Sequence, residues 1–139
     1  MSCQYVTISA PATINYEIDK LKFICSPNNV QSTTSITTIA LAKNTSAGYS
    51  EIVKVFVDIS TGQIVNKVQW FQNAVQSRAT VITALVTPTS QARLDFDINA
   101  TQVLCSDEGT YQCSIAGTTS SRQSVTSTAV TSVSMKGRL

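Results

Sequence analysis

The seven residues Asp107-Glu108-Gly109-Thr110-Tyr111-Gln112-Cys113 restrict the fold of this chain more than any other stretch. Side chains alternate along a strand, so Tyr111 and Cys113 face the same way, toward an interior. Gly109 permits a tight turn immediately before them, and Asp107 sets a carboxylate beside that turn. Similar short strand signals recur along the chain. Tyr5-Val6-Thr7-Ile8 alternates before Pro11, and Lys20 to Cys25 puts Leu21, Phe23 and Cys25 on one face. Ser35 to Ala42 follows, with Ile39 and Leu41 together. Glu51 to Ile59 predicts Val53, Val55, Val57 and Ile59 inward, and Ser60-Thr61-Gly62 is a hairpin signal returning through Ile64 to Phe71. Gln72 to Ser77 reads as a polar connection. Arg78 then opens a strand to Val86, Leu94 to Ile98 alternates, and Val125 to Val133 closes the series after a loop at Gly117 to Ser121. Regularly spaced strands with almost no helical period predict an all-β fold.

The 139 residues, 42% of them hydrophobic, suit one domain with one core spanning the whole chain, 1–139. Only 13% are charged and the net charge is +2, too little and too scattered for a nucleic-acid groove or an anionic membrane surface. The longest apolar stretch, around Val81 to Val86, is far shorter than a membrane span. With no histidine, Ser-His and Cys-His catalysis and histidine metal sites drop out together, so neither enzyme activity nor a cofactor is expected. Cys3, Cys25, Cys105 and Cys113 form no C-x-x-C pattern, and four cysteines allow three full pairings. Disulfides imply an oxidising, extracellular setting. No signal peptide opens the chain, so a secreted protein would be represented by its mature domain. Asn44-Thr45-Ser46 and Asn99-Ala100-Thr101 are N-glycosylation sequons.

Cys25, Leu94, Phe96, Asp107, Gly109, Tyr111 and Cys113 together resemble the immunoglobulin superfamily, with a variable- or intermediate-type strand set, from about Tyr5 to Met135. The resemblance implies an immunoglobulin-like antiparallel sandwich of two sheets bridged by Cys25–Cys113. It also implies a tyrosine corner, with the Tyr111 hydroxyl bonded to the backbone of the preceding turn, and an ion pair between Arg78 and Asp107. The family's usual Trp on the disulfide is missing here, so Ile39 or a neighbouring aliphatic is expected in its place. On this strand plan Cys3 and Cys105 fall at opposite ends, too far apart to bridge within one domain. Their alternatives are an intermolecular cross-link or free thiols.

A narrower likeness lies in Ser35 to Leu41, Tyr49 to Val55 and Thr61-Gly62, which resemble the immunoglobulin domains of molluscan fibrinogen-related defence lectins. No fibrinogen-like part accompanies them, so the resemblance implies an excised or stand-alone module.

These features lead to an extracellular recognition or adhesion module binding protein or glycan. The alternative is a spacer or structural domain that assembles into a receptor, oligomer or filament. Pro27 to Ser32 and Gly117 to Ser121 are the expected binding loops. Trp70 and Phe71 are the candidate contact pair, since adjacent strand residues face opposite ways. Asp95 and Asp97 flank Phe96 and are expected on a solvated outer face.

Overall fold

The computed structural model describes residues 6–10, 13–15, 18–27, 35–59, 62–118 and 121–136. Among the described residues, ten strands form two sheets around one aliphatic and aromatic core. The four-stranded sheet has the order β1 (Val6–Ser9), β3 (Leu21–Pro27), β8 (Arg93–Ile98), β7 (Ala79–Leu85). The six-stranded sheet runs β2 (Thr13–Asn15), β10 (Ser124–Lys136), β9 (Gly109–Thr118), β4 (Ser35–Thr45), β5 (Gly48–Asp58), β6 (Val65–Trp70). The period-two pattern explains the layering. Leu21, Phe23 and Cys25 of β3, Leu94, Phe96 and Ile98 of β8, and Tyr111, Cys113 and Ile115 of β9 are all buried.

The Cys25–Cys113 disulfide joins the layers, with Cα atoms 6.0 Å apart and a sequence separation of 88. Closing a loop of that length restricts the unfolded chain by about 4–5 kcal/mol on the chain-entropy account. Opposite Cys113, where a Trp was absent from the sequence, stands Leu41, with Ile39 opposite Ile115; both aliphatics are fully buried.

Several details depart from the sequence reading. The sandwich is not wholly antiparallel, because β2 runs parallel to β10 through Thr13↔Ser134 to Asn15↔Lys136. The chain leaves the four-stranded sheet after Ser9 and joins the six-stranded one at Thr13, so β2 lies beside the last strand without a hairpin to reverse it. Pro11 itself lies outside the described residues, as do Ser60 and Thr61.

In β5 the alternation breaks. Leu41 pairs with Val53 but Ala42 pairs with Glu51, leaving Ile52 as an extra residue. The bulge turns both Ile52 and Val53 inward, and Ile59, expected inside, is 64% exposed beyond the strand end. Gln72 to Ser77 is not merely a connection, since it contains the one-turn helix α1 (Asn73–Gln76). Gly117 belongs to β9 rather than to a loop. A Cβ there would stand 2.4 Å from the Ser35 carbonyl oxygen, so only glycine lets the two backbones approach.

One tie across the open side was not anticipated. Asn66 of β6 donates to the Thr87 carbonyl at 3.1 Å and accepts from the backbone N–H groups of Val86 and Thr87 at 2.8 and 3.2 Å. An edge strand of one sheet is thereby fastened to the end of the edge strand of the other.

Candidate functional site

Two regions gather the residues singled out in the sequence. The first is the base of the sandwich, where the chain turns into β9. Arg78, immediately before β7, donates from Nη1 and Nη2 to the two carboxylate oxygens of Asp107 at 2.8 and 2.9 Å. It also donates to the Ala74 and Gln102 carbonyls, so its fork is largely occupied. Asp107 is 7% exposed and receives a further bond from the Leu104 N–H at 2.8 Å. A bidentate, half-enclosed pair of this kind is stronger than a surface ion pair. The bond to Asp107 raises the Arg78 pKa, against the opposing effect of burial.

Tyr111 donates its hydroxyl to the Asp107 carbonyl oxygen. Burial raises its phenol pKa well above 10, and the neighbouring Asp107 charge adds to this while Arg78 opposes it. Its ring packs on Phe23 with centroids 4.6 Å apart, and Phe23 lies 5.3 Å from Phe96. Lys43 crosses above, donating to the Ser106 carbonyl, with its ammonium 5.7 Å from the Tyr111 ring centroid. Lys43 was missed from sequence because nothing local distinguishes it from a surface lysine at a strand end.

The second region is the outer face of the six-stranded sheet. Trp70 and Phe71 part there as adjacent strand residues must. Trp70 turns inward and meets Phe96 edge-to-face, with centroids 5.7 Å apart and planes at 78°. The core aromatic absent from β4 is thus supplied from the end of β6. Phe71 turns outward and is 42% exposed. Lys54 lies between it and Phe56, its ammonium 5.7 Å from the Phe71 ring and 5.3 Å from the Phe56 ring. Beside Lys54 in register are Ala40 and then Ser114, whose short side chains leave the centre of the face low. Lys54 and Phe56 lie on the side opposite the inward Val53 and Val55, as the alternation of that strand implies.

The outer face of the other sheet differs from expectation. Asp95 and Asp97 point away from the core but are 3% and 8% exposed. Lys22 and Arg93 each approach Asp95 at 3.2 Å, and Lys20 approaches Asp97 at 3.5 Å. The aliphatic stems of these cations cover the carboxylates, so the face is a charge ladder rather than a solvated pair.

Asn44 and Asn99 are both exposed, at the base of the sandwich, one near the β4–β5 hairpin and one capping a 3-10 turn. Cys105 is also there, in the 3-10 turn Cys105–Asp107, as an exposed free thiol. Cys3 lies outside the described residues. So do 28–32 of the first expected binding loop and residues 119–120 of the second. Among the described residues no helix is long and apolar enough to cross a membrane.

Two facing sheets, an inter-sheet disulfide and a hydroxyl-to-backbone corner below it define an immunoglobulin-like sandwich. The structure is similar to that of murine CRIg, an immunoglobulin-superfamily domain of variable type, with a TM-score of 0.68 over 94% of this chain and 98% of that one. Identity is 14%, so the likeness is one of fold. No family model matches the chain, and no curated protein matches it.

Proposed function

We propose that this protein is an extracellular recognition module that binds a protein or glycan ligand, and that it is a binding domain rather than an enzyme. The observation that carries the reading is the cluster of Lys54, Phe56 and Phe71 on the outer face of the six-stranded sheet. The two aromatic rings beside small residues offer apolar contact area, and the cation between them offers a charged anchor for a partner. The disulfide and the two exposed sequons support secretion and glycosylation at Asn44 and Asn99. A role in innate defence rests on the sequence likeness of residues 35–41 and 49–55 to molluscan defence lectins.

The test is retention of intact microbial cells and plasma proteins on the immobilised domain. Phe71→Ala and Lys54→Ala are expected to lose retention while melting at the unchanged temperature. Equal retention by both variants and the parent would remove the face from the reading.

A second reading, assembly through an intermolecular disulfide, is favoured by the exposed Cys105 thiol. Non-reducing electrophoresis of the secreted protein decides it: a monomer band alone ends this reading, and a dimer lost in Cys105→Ser supports it.

A further inference from the structure

The cations of this domain are mostly spoken for. Lys20, Lys22, Lys67, Arg78 and Arg93 each lie within 3.5 Å of a carboxylate, and Lys43 donates to the Ser106 carbonyl. Lys54, half-buried on β5, has neither kind of partner among the described residues, only the rings of Phe56 and Phe71.

The surrounding face explains why no anion reaches it. Lys54 lies in register with Ala40, then Ser114, then Thr128, and the neighbouring row that starts at Phe56 is equally free of charge out to β10. Along β5 the next outward carboxylate is Asp58, about 13 Å away at the rise of a strand, and it stands 2.7 Å from Lys67. Ala40 faces outward yet is only 8% exposed, because the strip of small residues is walled by Lys54 and Phe56. Val130 of β10, exposed, rises on the far side.

An ammonium in water needs no partner. Once another molecule covers the strip, that water is lost, and phenyl rings attract a cation too weakly to replace it. Whatever docks here must bring an anion to Lys54.

We propose that the occupant is an acidic segment of another protein, with an Asp or Glu side chain on the Lys54 ammonium and an apolar neighbour against Phe71. The inference rests on the reading of this face as the contact surface and specifies what covers it. A neutral glycan supplies no counter-charge. An acidic glycan would set hydroxyls on Ala40, Ala42 and Ala116, which have no hydrogen bond to offer. A second copy docked face to face would carry its own Lys54 into the same strip, a like charge.

The probe is the random copolymer poly(Glu,Tyr), which sets carboxylates beside apolar rings. Its counterparts are poly(Lys,Tyr), of opposite charge, and polysialic acid, an acidic glycan. Titrated into the ¹⁵N-labelled protein, poly(Glu,Tyr) is expected to shift the Ala40, Lys54, Phe71 and Ser114 amides. Lys54→Met keeps the stem and should weaken binding about tenfold, the loss of one charge-assisted hydrogen bond. Lys20→Met removes the same charge from the other sheet and should stay within about twofold of the parent. Lys54→Glu should exchange the preference for poly(Lys,Tyr). Shifts confined to other surfaces, equal binding by Lys54→Met and the parent, tighter binding of polysialic acid, or a mass that doubles with concentration and falls back in Phe71→Ala would overturn the proposal. The retention assay separates this failure from that of the contact face. Retention lost in Phe71→Ala but kept in Lys54→Met withdraws the acidic partner alone, whereas retention kept in both withdraws the face.

Discussion

Lys43 passes so close to Gly109 that a Cβ on the glycine would stand 2.9 Å from Lys43 Cε. Gly109 also has φ +149°, a backbone conformation that L residues rarely adopt. The glycine of the D-x-G-x-Y-x-C stretch therefore serves two purposes, turning the chain into β9 and letting a lysine stem cross from β4 to Ser106. Gly109→Ala is expected to lose about 1–3 kcal/mol in denaturant unfolding, mainly from the strained φ. In a Lys43→Ala background the loss should shrink, because the steric part disappears. Identical losses in both backgrounds would show that the crossing contributes nothing.

Asp107 is buried with a guanidinium on both oxygens, so deleting the cation leaves a carboxylate with no counter-charge. Arg78→Met should destabilise the domain by about 3 kcal/mol. Arg78→Lys should fall between it and the parent, since an ammonium cannot reproduce the planar fork. Urea midpoints that coincide for Arg78→Lys and the parent would mean the second hydrogen bond is without consequence.

Trp70 and Phe71 should separate stability from binding. Trp70→Ala removes the edge contact on Phe96 and opens a void, costing about 2–3 kcal/mol for a half-buried ring. Phe71→Ala should change stability by less than about 0.5 kcal/mol. A thermal melt of each variant checks the first statement, and the retention assay checks where binding is lost.

Tyr111 makes stability sensitive to alkali. Its pKa in the folded chain lies above the ordinary 10, chiefly through burial and secondarily through Asp107. The folded protein therefore keeps the phenolic proton at a pH where the unfolded chain releases it. Its contribution is complete below about pH 10 and declines as the pH rises toward the folded value, by up to about 1.4 kcal/mol per pH unit. Arg78 stays charged through this window, its own pKa being raised. Tyr111→Phe should flatten the pH dependence of the urea midpoint above pH 10; an unchanged slope would place the titration elsewhere.

Which residues face the interior was largely legible along the strands with clean alternation, because a period of two leaves Leu21, Phe23 and Cys25, or Tyr111 and Cys113, no choice of side once one is buried. The same rule failed where register slipped. One extra residue turned Ile52 inward beside Val53, while Val53 and Val55 lie inside as the alternation has them, and a bulge leaves no mark in composition. Asp95 and Asp97 were placed on the correct side yet judged solvated, since their cover comes from lysine and arginine stems on the same strand and its neighbour.

The chain's own order of residues determined a layered β protein with Cys113 pointing inward, a glycine-dependent turn before it and a surface poor in charge. These follow from local rules of strand, turn and side-chain size. Tertiary packing decided that Trp70 reaches Phe96 from an edge strand, that Asn66 laces the two edges and that Lys43 crosses over the Tyr111 ring to Ser106. Each of these joins segments distant in sequence, and such distances are set by how the layers close, not by any neighbour along the backbone.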